Sequence, residues 1–214
     1  ARIAEEAGAD LITLHLREDR RHIVDRDIKI LRGRIRTRMN LEMAATDEMV
    51  EIARRVRPDD VCLVPERREE LTTEGGLDVA ENQSGLLEMT ACLKDAGIRV
   101  SMFIDPDIPQ IEASLLAGAD AVELHTGAYA EQFDNARRRQ RELSRLIAAS
   151  THAHAMGLRV NAGHGLNYEN LTDLHAVPHM EELNIGHSIV SHAISVGLME
   201  AVKEILRLMK GYHG

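Results

Sequence analysis

Tryptophan is absent from this sequence, and aromatic residues of all kinds make up 2% of it. A core must therefore come from Leu, Ile, Val, Ala and Met, which is the interior of an α/β protein. Basic charge is also in short supply. A formal net charge of −9 excludes the basic excess of an ordinary nucleic-acid-binding domain. Any anionic ligand must then be held by locally placed cations and backbone amides, against the overall field. No apolar run approaches the ~20 residues of a membrane helix, and no signal peptide opens the chain. The two cysteines, Cys62 and Cys92, lie in apolar segments and are expected as buried free thiols in a reducing compartment. These absences leave a cytoplasmic α/β protein, and 214 residues suit a single domain over 1–214.

What is present is alternation. Short strand-like runs ("DLITLHL", "RMNLEMA", "DVCLVPE", "RVSMFID", "AVELHTG", "RVNAGHG", "EELNIGH") are separated by longer amphipathic stretches. The latter include "TDEMVEIARRV", "SGLLEMTACLKDAG", "NYENLTDLHAV" and a final "SIVSHAISVGLMEAVKEILRLMKG". Gly97, Gly118 and Gly157 mark helix stops just before the next strand. Such βα alternation implies parallel strands with right-handed crossovers. An open doubly wound sheet and a closed (β/α)8 TIM barrel both satisfy it. The first visible strand carries no GxGxxG, and one strand before Ala1 would complete eight of each element, so the expectation is a barrel whose first strand lies outside this chain.

Strand parity then locates a site. In a barrel, alternate strand residues face inward. Thr13 and His15 share one parity, as do Asn40 and Glu42, Glu123 and His125, Asn161 and Gly163, and Glu182 and Asn184. Most fall at the carboxyl ends, where barrels build active sites. "NAGHG" and "NIGHS" close the last two strands, the positions where barrels commonly bind phosphate through glycine loops and a helix N-terminus. Ser188 is expected to cap the final helix. Arg17, Arg20, Arg21 and His22, just past His15, read either as a second anion clamp, with planar guanidinium forks on phosphate oxygens, or as a solvated charged loop. His152 and His154, two apart on a helix, do not share a face and read as surface or packing residues.

The strings "HLREDRRHI", "NLEMA", "LVPERREELTTEGGLDV", "ELHTGAYA", "VNAGHGLNYEN" and "ELNIGHSIV" resemble, in order and along the whole chain, the pyridoxine 5′-phosphate synthase family of vitamin B6 biosynthesis. The resemblance implies a (β/α)8 barrel that condenses 1-deoxy-D-xylulose 5-phosphate with 3-amino-2-oxopropyl phosphate. Products are pyridoxine 5′-phosphate, inorganic phosphate and water. It implies no metal or organic cofactor, a homo-octamer, and a cytoplasmic location. By motif, His15 resembles the family's first proton acceptor and Glu42 its second. Glu123 resembles a residue stabilising the transition state, and His164 the proton donor. Arg17, His22 and Thr72 resemble contacts to the sugar phosphate. Gly165, Gly186 and His187 resemble the site for the amino-ketone phosphate. The family's opening strand, with an Asn, an Asp-His pair and a loop arginine, has no counterpart here, so the expectation is a protein that extends upstream of Ala1.

Two other readings remain open from the residues. His and Glu at strand ends also suit a metal-dependent hydrolase or isomerase, although no HExxH occurs. A catalytically inactive sugar-phosphate-binding barrel is the third. The long segment "RREELTTEGGLDVAENQ" is the candidate lid.

Overall fold

The computed structural model describes residues 1–66 and 75–212. A short helix α1 (Arg2–Ala7) leads into β1 (Leu11–His15), and the chain then alternates through α2 (Asp25–Arg32), β2 (Arg38–Ala44), α3 (Asp47–Val56) and β3 (Asp60–Val64). It continues with α4 (Gln83–Asp95), β4 (Arg99–Ile104), α5 (Ile108–Leu116) and β5 (Ala121–His125). After β5 come α6 (Gly127–Glu131), α7 (Ala136–Ala155), β6 (Arg159–Gly163), a 3₁₀ turn (Thr172–Ala176), β7 (Met180–Asn184), α8 (His187–Val196) and α9 (Leu198–Met209).

The described strands form one parallel sheet in the order β1-β2-β3-β4-β5-β6-β7. Every neighbour in space is the neighbour in sequence, which is the connectivity of a (β/α)8 barrel one strand short of closure. The sheet curls so far that its two ends communicate: Thr13 Oγ1 on β1 donates to Asn184 Oδ1 on β7 at 2.6 Å, and Arg38 on β2 pairs with Glu182 on β7. All residues of β3 and β5 are buried, as expected for strands covered on both sides. Helices supply the outer layer; α3 buries Met49, Val50, Ile52 and Ala53 along one stripe.

Gly97, Gly118 and Gly157 adopt positive φ of 79°, 80° and 85° at the ends of their helices, as their positions in the sequence predict. Other expectations need correction. Cys92 is exposed, because α4 buries Leu86, Thr90 and Leu93 and leaves Cys92 on the outer face. The final amphipathic stretch is two helices, broken at Gly197 with φ 84° and ψ 150°, a conformation that glycine alone adopts readily. "NYENLTDLHAV" forms only the 3₁₀ turn. There the Asn167 side chain accepts the amides of Glu169 and Asn170, and Asn170 accepts that of Asn167, so side chains replace the helical ladder. Gly186, not Ser188, occupies the N-cap of α8; the Ser188 hydroxyl donates to the Leu166 carbonyl at 2.7 Å.

Candidate active site

The register explains why residues of six strands come to one place. His15 lies opposite Glu42, Glu42 opposite Cys62, Glu123 opposite Asn161, and Gly163 opposite Asn184. These residues share the inward parity of adjacent parallel strands, so their side chains form a continuous belt.

On the β1–β3 side, His15 is held between two carboxylates. Its Nδ1 lies 3.6 Å from Glu42 Oε2, and its Nε2 lies 3.0 Å from Glu66 Oε1, just beyond β3. Glu66 also accepts the Glu18 amide at 3.0 Å and faces the buried Arg17 guanidinium at 4.0 Å. Burial alone would raise the Glu66 carboxyl; the hydrogen bonds from His15 and Glu18 and the charge of Arg17 outweigh it and hold the group below the usual carboxylate range. Glu42 behaves oppositely. Burial pushes its pKa up, and the neighbouring His15 only moderates this.

Glu123 occupies the middle of the belt and is 2% exposed. Its Oε2 accepts the Asn184 amide at 2.8 Å and the Cys62 thiol at 3.6 Å. Burial, followed by the charge of Glu42, raises its pKa to about 8, so near neutrality it is a carboxylic acid able to donate. The Cys62 thiol is itself pushed well up by burial and by both glutamates, and it stays protonated. On the far side, Oε1 of Glu123 lies against Gly163; a Cβ there would sit 2.3 Å from it.

His164 follows Gly163 directly and has φ 81°, a left-handed conformation that a histidine rarely takes. The Thr126 hydroxyl pins this turn, lying 2.6 Å from the carbonyls of Gly163 and His164. Burial, then the charge of His125 and to a lesser degree His187, hold the His164 imidazole below its ordinary range, against the opposing pull of Glu131. Gly165 has φ 76°, and its carbonyl accepts the Asn170 amide at 3.0 Å. Gly186 and His187 are exposed at the start of α8, across the same mouth.

The sequence-derived residues thus divide. His15, Glu42, Glu123 and His164 meet at the carboxyl ends of β1, β2, β5 and β6, with Gly165, Gly186 and His187 on the adjoining loops. Arg17 is buried beside Glu66, whereas His22 is exposed in the loop that follows β1. Arg20 pairs with Asp25 of α2 at 3.1 Å and with Glu48 of α3 at 2.5 Å, and Arg21 pairs with Asp19, so both cations have carboxylate partners close to the loop after β1. Thr72 and much of the candidate lid lie outside the described residues. Among the described residues, no group of three or more His, Cys, Asp or Glu is arranged to hold a metal ion.

Comparison with known proteins identifies the lineage. The family described as "Pyridoxal phosphate biosynthesis protein PdxJ" matches residues 1–211. This chain belongs to that family. A relative from Thioalkalivibrio sulfidiphilus (strain HL-EbGR7), named pyridoxine 5′-phosphate synthase, is 58% identical over 97% of this chain and 84% of its own length. One of the same name from Synechococcus sp. (strain JA-2-3B'a(2-13)) is 60% identical over 97% of this chain and 86% of its own. Among solved structures, the chain is similar to 3-keto-L-gulonate-6-phosphate decarboxylase from Vibrio cholerae, with TM-score 0.71, 11% identity, and coverage of 100% of this chain and 91% of that one. It is also similar to phosphoribosyl anthranilate isomerase from Thermus thermophilus, with TM-score 0.64, 14% identity, and coverage of 99% and 93%. At such identities the likeness is one of fold alone, and the fold is that of the TIM barrel.

Against this PdxJ-family background, three site neighbours escaped the sequence reading. Cys62 is the buried free thiol expected, but its contact with Glu123 was not foreseen. Glu66 and Asp105 each sit just past a strand end, in "VPE" and "FID", where an acidic residue following an apolar run is the available signal.

Proposed function

We propose that this PdxJ-family chain is a pyridoxine 5′-phosphate synthase, condensing 1-deoxy-D-xylulose 5-phosphate with 3-amino-2-oxopropyl phosphate. The reading rests on the identity of 58–60% to relatives of that name along nearly the whole chain. The convergence of His15, Glu42, Glu123 and His164 supports it.

Joining an amine to a ketone loses water, and ring closure and aromatisation then require further proton transfers and loss of phosphate. Glu42 and His15 remove protons. Glu42 is suited to this because burial raises its basicity toward neutral pH. Glu123, protonated and fixed through Oε2, donates to negative charge developing on the intermediate. His164 gives its proton to the departing group. Arg17, His22 and Thr72 hold the sugar phosphate; Gly165 in the loop after β6, with Gly186 and His187 at the start of α8, receives the amino-ketone phosphate through backbone amides. The whole of 1–214 acts as one domain, in a cytoplasmic homo-octamer, with substrates as its small-molecule partners and no nucleic acid.

Purified protein supplied with both substrates tests the reading, with pyridoxine 5′-phosphate and released phosphate quantified. Binding of both sugar phosphates without either product would overturn it in favour of an inactive binding barrel.

A further inference from the structure

His125 ends β5 on the same inward parity as Glu123, yet none of the roles above uses it. Its Nδ1 lies 3.0 Å from Oδ1 of Asp105, the residue that follows β4. The hydrogen bond from His125, aided by the Gly76 amide and the charge of Arg145, holds the Asp105 carboxyl below its usual range despite partial burial. An ionised carboxylate only accepts hydrogen bonds, so Nδ1 of His125 carries the hydrogen and Nε2 of the neutral ring is a bare acceptor.

That acceptor is buried and has no hydrogen-bond partner among the described residues. The ring of His164 stands edge-on to His125, with centroids 5.1 Å apart, and Phe103 closes another side at 5.1 Å. Gly127 closes the remaining side so tightly that a Cβ would sit 2.4 Å from Nε2 and 3.2 Å from His164 Cδ2. A buried, unmatched acceptor costs stability, and an apolar residue of similar shape would avoid that cost. The arrangement instead keeps a basic nitrogen, backed by a carboxylate, beside a second imidazole and screened from water.

We propose that the Asp105–His125 pair holds the proton of His164 between chemical steps. When the half-exposed His164 ring turns an N–H from this edge-on contact toward His125, its proton moves to Nε2, breaking an N–H bond on one ring and forming one on the other. The imidazolium so formed is stabilised by Asp105. The transfer reverses when His164 must again donate, and the two rings share a single positive charge until that proton leaves for the departing group. His125 is therefore a relay residue acting through His164. Charged and titratable groups facing this pair are Asp105 beyond β4, Glu131 on α6, His187 on α8 and, through Asp105, Arg145 on α7.

This inference rests on His164 as the proton donor of the proposed reaction, and two measurements separate the claims. Nitrogen-15 NMR of the labelled histidines in the intact protein requires no substrate. The expected result is a His125 ring bearing hydrogen on Nδ1 and none on Nε2 at high pH, with His125 and His164 titrating as a coupled pair. In H125Q, His164 then titrates in one step at higher pH. A His125 ring protonated on Nε2 instead, or a His164 titration unchanged in H125Q, overturns the relay even if the protein makes product. For turnover, H125Q is expected to lower kcat by about 10²-fold or more, within the range of a general acid–base contribution, with little change in KM and with loss of one limb of the kcat–pH profile. D105N, which keeps the ring, is expected to flatten the same limb, so the test survives if H125Q folds poorly. Unaltered pH profiles in both variants sink the proposal. If wild-type protein yields no product from the two substrates while the NMR coupling holds, the reaction assignment fails and the paired imidazoles stand.

Discussion

Nδ1 of His15 and Oε2 of Glu42 face each other at 3.6 Å across the β1–β2 ladder, where the two residues are direct register partners. Burial raises Glu42, and His15 is what moderates that rise. In its proposed role as a base Glu42 must be ionised, so kcat/KM is expected to climb with pH through a value above that of an ordinary glutamate. In H15Q that limb moves to still higher pH, and in E42Q it disappears with a loss of ~10²–10⁴-fold in kcat. Initial-rate profiles against pH measure both. An E42Q enzyme with near-wild-type turnover would remove Glu42 from the mechanism.

Glu123 makes a separable prediction about stability. Its pKa in the folded chain is about 8, against an ordinary 4.5. Between these values the native state keeps a proton that the unfolded chain has released, so the unfolded state binds fewer protons and stability falls as pH rises. Denaturant titrations from pH 5 to 8 should show that decline, and E123Q, neutral at every pH, should flatten it. Equal slopes in the two proteins would contradict a protonated Glu123.

Gly127→Ala tests the steric closure around the two imidazoles. The added carbon would meet His125 and His164, so either the rings or α6 must shift. Displacements on the order of 1 Å at reacting groups cost about 10²-fold. We expect such a loss of kcat with an unchanged circular dichroism spectrum; full activity would show that the rings have room to spare.

Tyr129 on α6 is buried, and its hydroxyl donates to the Asn170 carbonyl at 2.6 Å, tying α6 to the loop after β6. Tyr129→Phe leaves that carbonyl unmatched and should lower unfolding free energy by about 1–3 kcal/mol. Urea denaturation reads the difference directly.

Chelation distinguishes the metal-dependent alternative. Exhaustive treatment with a chelator is expected to leave turnover unchanged. Loss of activity that zinc or manganese restores would favour a metal-assisted reaction instead.

Strand parity made much of this site legible in advance. The alternation in "LITLH", "NLEM" and "AVELH" placed Thr13, His15, Glu42, Glu123 and His125 on one face because a strand leaves each side chain only two directions. Loops carry no such period. Glu66 and Asp105 sit one or two residues beyond their strands, and their partners depend on where a turn aims them. Arg20 and Arg21 left two readings open for the same reason: that Asp19, Asp25 and Glu48 lie close enough to pair with them emerges only once the loop folds back. The asparagines of "NYEN" defeated the helical reading because side-chain acceptors competed for the same amides.

The hydrogen bond from Thr13 to Asn184 reaches further than its own two strands. Because the threonine hydroxyl engages the oxygen of that amide, the nitrogen must turn the other way, toward Glu123. Which end of one small side chain greets the central acid is thus decided from β1, on the opposite lip of the ring. A methyl group exchanged for a hydroxyl there, as in Thr13→Val, would free the amide to rotate and offer the acid an acceptor in place of a donor.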